Sequence, residues 1–213
     1  MKKQIAFFGG TSGLGTKVTE HLTDVYDIQS LGSSDVNLLN EDDINNYFKN
    51  NNPDIVIIFS NYNYNSFLHK YDEFDELDKQ IDINIKGVTK VISKSLSHMR
   101  NQKYGRIILA SSITAEKSVI GTSLYASCKS YYESIVKNIC IENATNNITA
   151  NCIQLGYMDG GLTYTLPPKF IEKITASIPA QRLGTTKEIS ETIGFLINNS
   201  YINGTTIKLT GGL

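Results

Sequence analysis

Two side chains that could move a proton stand four residues apart in the sequence, Tyr125 and Lys129. They open a helical pattern that runs towards Ile141, and residues four apart share one face of a helix, so the phenol and the ammonium can point into the same cleft. A free tyrosine has a pKa of about 10, and a neighbouring ammonium lowers that value by stabilising the phenolate. The pair predicts a general acid/base, with a surface pair on an ordinary helix as the alternative.

A serine and a glycine loop accompany this pair. Ser112 follows the apolar run 106–110 and therefore lies near the carboxyl end of a predicted strand, where its hydroxyl can hold a substrate oxygen or, alternatively, cap a helix. The loop 9–15, GGTSGLG, stands between the first predicted strand and an amphipathic stretch, 16–22. Glycines permit a tight turn there, and the N–H groups of a helix N-terminus favour a pyrophosphate, so the loop predicts a phosphate cradle.

The elements that must position these groups alternate along the chain. Six apolar runs predict strands: 4–8, 27–31, 54–59, 106–110, 148–155 and 205–209. Helical patterns lie between most of them, with further helices predicted at 72–100 and 169–176, so we expect an α/β fold with a doubly wound parallel sheet and helices on both faces. The first three runs are closely spaced for full strand–helix units of about 30 residues. We therefore expect the segment 32–34 to lead into a stub at 35–38, with the next helix starting near Glu41.

Size and composition limit the function. A chain of 213 residues with 40% hydrophobic content predicts a single domain, residues 1–213, with a substantial core. Twenty basic and twenty-one acidic residues lack the basic excess of a nucleic-acid binder, so we expect a small-molecule ligand and no nucleic acid or membrane partner. Three cysteines without metal-type spacing predict reduced thiols in a cytoplasmic protein and no metal site. The run 4–8 is short for a signal peptide, which needs about 7 to 15 apolar residues.

Over nearly its whole length the chain resembles the classical branch of the short-chain dehydrogenase/reductase family, a single-domain Rossmann fold. The residues that match its glycine loop and its active site are Gly9, Gly13 and Gly15, and Asn84, Ser112, Tyr125 and Lys129. The segments 179–184 and 201–212 are similar to the tail of that branch, which includes beta-ketoacyl-carrier-protein reductase-like members. Compared with these, the region after the second strand is shortened.

The resemblance implies an NAD(P)-dependent oxidoreductase that interconverts a carbonyl and an alcohol by hydride transfer. Tyr125 would donate or accept the proton, and Lys129 would lower its pKa and bind the nicotinamide ribose. Ser112 would polarise the carbonyl oxygen, and Asn84 would hold a water that relays protons to Lys129. The resemblance also implies a homodimer or homotetramer.

The same resemblance implies the nucleotide contacts: Gly9, Thr11, Ser12, Gly13, Leu14, Gly15, Ser33, Asp35, Val36, Ser60, Tyr125, Lys129 and Gly156. Asp35 lies twenty residues past Gly15, near the offset of an acid that binds a ribose hydroxyl, but its setting looks like the family's Asp-Val pair, which meets the adenine amino group. Ser33 and Ser34 could then accommodate a 2′-phosphate, although no arginine accompanies them. NADP is therefore favoured over NAD.

The chain departs from the family pattern in three places. The segment 58–61, Ile-Phe-Ser-Asn, replaces Asn-Asn-Ala-Gly; Leu155-Gly156 and Gly160 replace a Pro-Gly pair and a threonine; and the second strand lacks a terminal acid. These departures keep a rival open, a catalytically silent nucleotide-binding sensor or scaffold on the same fold. A third alternative, a sugar-nucleotide epimerase or dehydratase of the extended branch, needs a substrate domain for which we expect no room in 213 residues.

Overall fold

The computed structural model describes residues 2–71 and 74–213, and its centre is a six-stranded parallel sheet. The strands are β1 (Gln4–Phe8), β2 (Asp27–Leu31), β3 (Ile55–Ile58), β4 (Gly105–Ser112), β5 (Ile148–Leu155) and β6 (Thr206–Leu209). They lie in the order β2-β1-β3-β4-β5-β6 and agree with the six predicted runs to within two residues. The predicted fold class is confirmed.

Helices cover both faces of this sheet. In the described residues the α-helices are α1 (Gly13–Leu22), α2 (Glu41–Asn50), α3 (Phe74–Ile81), α4 (Val88–Gln102), α5 (Ser123–Asn143), α6 (Pro168–Ser177) and α7 (Thr186–Asn198). A π-helical segment, Asp82–Gly87, joins α3 to α4, so the predicted helix 72–100 is interrupted; its first two residues, Asp72 and Glu73, lie outside the described residues. None of these helices has both the length and the apolar character needed to cross a bilayer.

The core consists of two apolar clusters, one on each face of the sheet. Phe8 belongs to the cluster that includes Val91 of α4, whereas Phe7 belongs to the cluster that includes Val18 of α1. Successive side chains of a strand point to opposite faces, which is why these two neighbours belong to different clusters. Apolar side chains on both faces of the sheet therefore pack against helices on both sides.

The segment after β2 forms turns and no strand. The carbonyl of Gly32 accepts hydrogen bonds from the N–H groups of Asp35 and Val36, at 3.1 and 3.0 Å, and the carboxylate of Asp35 accepts one from the N–H of Gly32 at 2.8 Å. Turns therefore replace the stub predicted at 35–38, and α2 begins at Glu41 as predicted. As a result β2 is the edge strand.

The position of β1 determines where a ligand can enter. This strand pairs with β2 on one side and with β3 on the other, so the order of the strands reverses at this point. Connections that leave neighbouring strands in opposite directions open a crevice at their carboxyl ends, which is where doubly wound sheets hold ligands.

Candidate active site

A cavity of about 1100 Å³ occupies this crevice. The predicted site residues that line it are Gly9, Thr11, Ser12, Gly13, Leu14, Gly15, Ser33, Val36, Ser60, Ser112, Tyr125, Lys129 and Gly156. Asp35 and Asn84 do not line it. The structure therefore brings the glycine loop and the predicted Ser-Tyr-Lys set to one cavity, while two of the predicted residues lie outside its lining.

Close packing explains the glycines of the loop. A Cβ atom on Gly9, where φ is +88°, would lie 2.5 Å from the backbone nitrogen of Ser60, and a Cβ atom on Gly15 would lie 1.9 Å from the carbonyl oxygen of Gly9. Glycines at these two positions therefore let the loop pack against the backbone after β3 and against itself, where side chains would collide. It ends at the first turn of α1, whose N–H groups and dipole favour an anion, so the loop can hold a pyrophosphate.

Ser112, Tyr125 and Lys129 converge from two elements. Ser112 ends β4, and its hydroxyl oxygen accepts hydrogen bonds from the N–H and the hydroxyl of Thr114, at 3.2 and 3.0 Å. Tyr125 and Lys129 lie on α5, and the Nζ atom of the buried lysine is 5.5 Å from the centre of the tyrosine ring. The lysine donates a hydrogen bond to the carbonyl of Ala110 at 2.8 Å, which holds its amino group under the tyrosine.

Burial dominates the electrostatics of these groups. It lowers the pKa of Lys129 to about 8 and raises the pKa of Tyr125, and the nearby hydroxyl of Ser112 opposes the rise for the tyrosine. Lys129 is not among the causes that shift the pKa of Tyr125. The structure therefore does not show the lowered phenol pKa that the sequence predicts, because burial raises the pKa of Tyr125.

Asn84 lies behind the cavity wall, in the π-helical segment. Its side-chain oxygen accepts a hydrogen bond from the N–H of Tyr62 at 2.8 Å, and its amide nitrogen donates one to the carbonyl of Tyr62 at 2.7 Å. The residue is fully buried. π-Helical turns occur frequently at functional sites, and here the turn directs Asn84 to the segment after β3. The predicted water relay to Lys129 stays a prediction.

Comparison with known proteins identifies the family. A family model described as enoyl-(acyl carrier protein) reductase matches residues 55–213. The chain belongs to the short-chain dehydrogenase/reductase family. The matched range contains Asn84, Ser112, Tyr125 and Lys129, whereas the glycine loop precedes it.

Individual members of the short-chain dehydrogenase/reductase family extend the match to the whole chain. The 3-oxoacyl-(acyl-carrier-protein) reductase FabG of Buchnera aphidicola subsp. Baizongia pistaciae is 28% identical over 239 residues, which cover 100% of this chain and 97% of that protein. Nodulation protein G of Rhizobium sp. (strain N33) is 32% identical over 139 residues, 64% of this chain and 56% of that protein, so the chain spans little more than half of this relative. The solved structure "ElxO with NADP Bound" has a TM-score of 0.87 at 23% identity and covers 100% of this chain and 98% of that one, which shows a shared fold.

Several residues that line this short-chain dehydrogenase/reductase site are not part of any motif found in the sequence. The cavity is also lined by Asn61, Asn63 and Asn65, which follow β3 where the family pattern has Asn-Asn-Ala-Gly and its continuation, and by Tyr62, which lies in a segment that the sequence places near the cleft. The alternation of asparagine and tyrosine directly after a strand was the available signal. Lys79 of α3 also lines the cavity, and its amino group lies 4.3 Å from the centre of the Tyr62 ring.

The loop after β5 supplies the opposite wall. Gly160 and Gly161 both have positive φ, +139° and +57°, and a Cβ atom on Gly161 would lie 3.0 Å from Cγ of Leu14 in the glycine loop. The buried Thr163 follows and lines the cavity. A threonine is thus present in this loop, three residues beyond the position at which the family pattern places one.

Proposed function

We propose that the protein is an NADP-dependent oxidoreductase that interconverts a carbonyl and an alcohol by hydride transfer. The observation that carries the proposal is that Ser112, Tyr125 and Lys129 line the same cavity as the glycine loop 9–15. Membership of the short-chain dehydrogenase/reductase family and the names of relatives, such as the Buchnera reductase, support the same reaction class.

The residues around the glycine loop fit a dinucleotide. Gly9 and Gly15 let the loop pack tightly, a Cβ atom on Gly13 would come no closer than 3.7 Å to the neighbouring Gly161, and the loop ends at the first turn of α1. Beyond the loop, the cavity is lined by Ser33 and Ser34, which are exposed, while the carboxylate of Asp35 is bonded to the N–H of Gly32 at 2.8 Å. Hydroxyls without a free carboxylate suit a 2′-phosphate better than a 2′-hydroxyl. The solved relative ElxO with NADP bound supports this choice.

The proposed proton path uses three side chains of this protein. A bound nicotinamide would supply or accept the hydride. Tyr125 would protonate the carbonyl oxygen as the hydride arrives, and Ser112 would hold that oxygen. Lys129 has three N–H donors and uses one on Ala110, so two remain for ribose hydroxyls. Its pKa of about 8 allows exchange between charged and neutral forms near physiological pH.

Nucleotide binding is the first test. NADPH and NADH are titrated into the protein and followed by nucleotide fluorescence, and Gly13→Asp is compared with Gly194→Asp. Gly13 lies in the loop, where a carboxylate would repel a pyrophosphate, whereas a Cβ atom on Gly194 of α7 would meet nothing within 4 Å. We expect tighter binding of NADPH than of NADH, loss of binding in Gly13→Asp, and wild-type affinity in Gly194→Asp. Absence of binding by the folded wild type would contradict the proposal.

Turnover is the second test. The Tyr125→Phe variant is assayed on a panel of carbonyl compounds and alcohols beside Tyr131→Phe, which removes a hydroxyl from the same helix at a residue that does not line the cavity. We expect loss of turnover with nucleotide binding retained in Tyr125→Phe and wild-type turnover in Tyr131→Phe. Nucleotide binding by the wild type without turnover of any compound would instead favour the silent sensor or scaffold.

A further inference from the structure

The amino group of Lys129 lies between two tyrosine rings. Its Nζ atom is 5.5 Å from the centre of the Tyr125 ring and 4.7 Å from the centre of the Tyr132 ring, which belongs to the next turn of α5. Tyr132 is fully buried and lies in the core cluster between α5 and the sheet, not in the cavity. The family motif does not include it, and its contact with Lys129 has no part in the reaction proposed above.

Few other groups stabilise a positive charge on the amino group of Lys129. The residue is 3% exposed. Within the described residues its amino group makes one hydrogen bond, to the carbonyl of Ala110, and no carboxylate lies within ion-pair distance of it. The titratable groups around it are the two tyrosines and the thiols of Cys128 and Cys152; β4 contributes the Ala110 carbonyl. An ammonium removed from water without a counter-ion is strongly destabilised.

The ring of Tyr132 can offset part of that penalty. The face of an aromatic ring attracts a cation, and the attraction is strongest where water is excluded. The hydroxyl of Tyr132, by contrast, has no hydrogen-bond partner among the residues that the structure describes. The useful part of this side chain is therefore its ring, which a phenylalanine would retain.

We propose that Tyr132 is a positioning residue whose ring holds the ammonium of Lys129 against the carbonyl of Ala110 and keeps the amine charged beneath Tyr125. Its importance for turnover rests on the proposed function, whereas the contact itself does not. The contact can therefore be tested without nucleotide or substrate.

The test is a pH titration of Lys129 by NMR. Lysine is labelled with 13C at Cε, the Lys129 signal is assigned by its absence in Lys129→Arg, and its shift is followed with pH in the free protein. We expect wild type and Tyr132→Phe to titrate near pH 8. In Tyr132→Leu and in Tyr132→Met, which lack the ring, the midpoint should fall by about one unit, since each pKa unit corresponds to about 1.4 kcal/mol.

Tyr131→Leu is the matched control. It removes the neighbouring ring, which is partly buried, forms a hydrogen bond with Thr89 and makes no contact with the lysine amino group, so the midpoint should not change. An unchanged midpoint in both Tyr132→Leu and Tyr132→Met would overturn the proposal, and so would a fall in Tyr132→Phe as large as in those two. Leucine and methionine fill the space of the Tyr132 ring differently, so a fall of the midpoint in both variants traces to the missing ring and not to poor packing in one of them. Thermal melts verify that each variant is folded. If the midpoints fall as expected in Tyr132→Leu and Tyr132→Met but the protein turns over no compound, the proposed function is rejected and the role of Tyr132 in supporting the charge of Lys129 stands.

Discussion

The side-chain amide of Asn84 forms two hydrogen bonds with the backbone of Tyr62, one to its N–H at 2.8 Å and one to its carbonyl at 2.7 Å. One helical turn earlier, the side chain of Gln80 accepts a hydrogen bond from the N–H of Tyr64, also at 2.8 Å. Both amide side chains belong to buried residues. The cavity wall after β3 is therefore held by side chains of the helix beside it, where no strand pairing supports the backbone.

The first prediction concerns this anchor. Asn84→Ala leaves the N–H and the carbonyl of Tyr62 without partners, and each unpaired buried group costs about 1–3 kcal/mol, so we expect a loss of about 3 kcal/mol in the free energy of unfolding. Urea unfolding measures the loss, and hydrogen exchange at the Tyr62 amide should accelerate. The control is Asn138→Ala, an exposed site on α5. Equal stability of the two variants would contradict the anchoring role.

The sheet is predictable from the sequence because burial leaves a local signal. The strand β3, Ile55–Ile58, is an uninterrupted apolar run, and all four of its residues are buried. Asn84 is equally recognisable as a motif residue, but its partner is not, because Tyr62 lies 22 residues away and the contact depends on the π-helical segment. Motifs thus identify single side chains such as Asn84 more readily than the distant backbone segments that these side chains hold in the cavity wall.

The segment after β2 shows why the remaining features could not be predicted. Asp35-Val36 resembles the end of a strand, yet the carboxylate of Asp35 bonds to the N–H of Gly32 and stabilises a turn. Side chains of aspartate often compete with strand pairing in this way, and sequence alone does not decide which wins. The carboxylate of Asp35 thus makes a turn contact and does not line the cavity, whereas Ser33 does. The predicted nucleotide contact of Asp35 stays a prediction.

The second prediction concerns nucleotide choice. In Ser33→Asp a carboxylate stands at the wall where we place the 2′-phosphate, so repulsion should weaken NADPH binding by about tenfold or more and leave NADH affinity unchanged or improved. Fluorescence titration at low salt measures both affinities. Ser200→Asp adds the same charge at an exposed residue after α7 and should change neither. An equal loss for both nucleotides in Ser33→Asp would mean that the 2′ position lies elsewhere.

The third prediction concerns Arg106, at the opposite end of β4 from Ser112. It is 4% exposed, and its guanidinium donates to the carbonyls of Ile197, Gly105 and Asn147 at 3.0, 2.8 and 2.9 Å. Arg106→Met leaves these carbonyls without that donor, so we expect about 3 kcal/mol of lost stability in chemical unfolding.

A control variant and a second measurement show whether the loss of stability in Arg106→Met comes from the lost hydrogen bonds. Lys187→Met, an exposed basic-to-apolar change on α7, should alter the free energy of unfolding by less than about 0.5 kcal/mol. Nucleotide affinity of folded Arg106→Met should equal that of the wild type, because the residue is remote from the cavity. Weaker nucleotide binding by this variant would contradict a purely structural role for Arg106.

The last prediction follows from the buried amine of Lys129. Its pKa falls from an ordinary 10.5 to about 8 in the folded protein, so between these values the unfolded chain binds more protons and stability rises with pH. Below pH 8 both states carry the charge, and the folded state bears a desolvation penalty of about 3 kcal/mol. Lys129→Met removes the penalty and loses the bond to Ala110, which is worth about 1 kcal/mol. We therefore expect the variant to be inactive yet more stable than wild type by about 2 kcal/mol at pH 7.

The pH dependence distinguishes this cause from better packing. Urea unfolding at a series of pH values should show the advantage of Lys129→Met shrinking as pH rises from 8, because the folded amine loses its charge near pH 8 and the unfolded one only near 10.5. The advantage should be gone by about pH 10 and reverse above that value, where the lost bond to Ala110 is the larger effect. Lys137→Met, an exposed lysine on the same helix, should show no such trend. An advantage that stays constant with pH would trace the gain to packing, and a variant less stable than wild type at pH 7 would mean that the buried ammonium is better supported than its surroundings indicate.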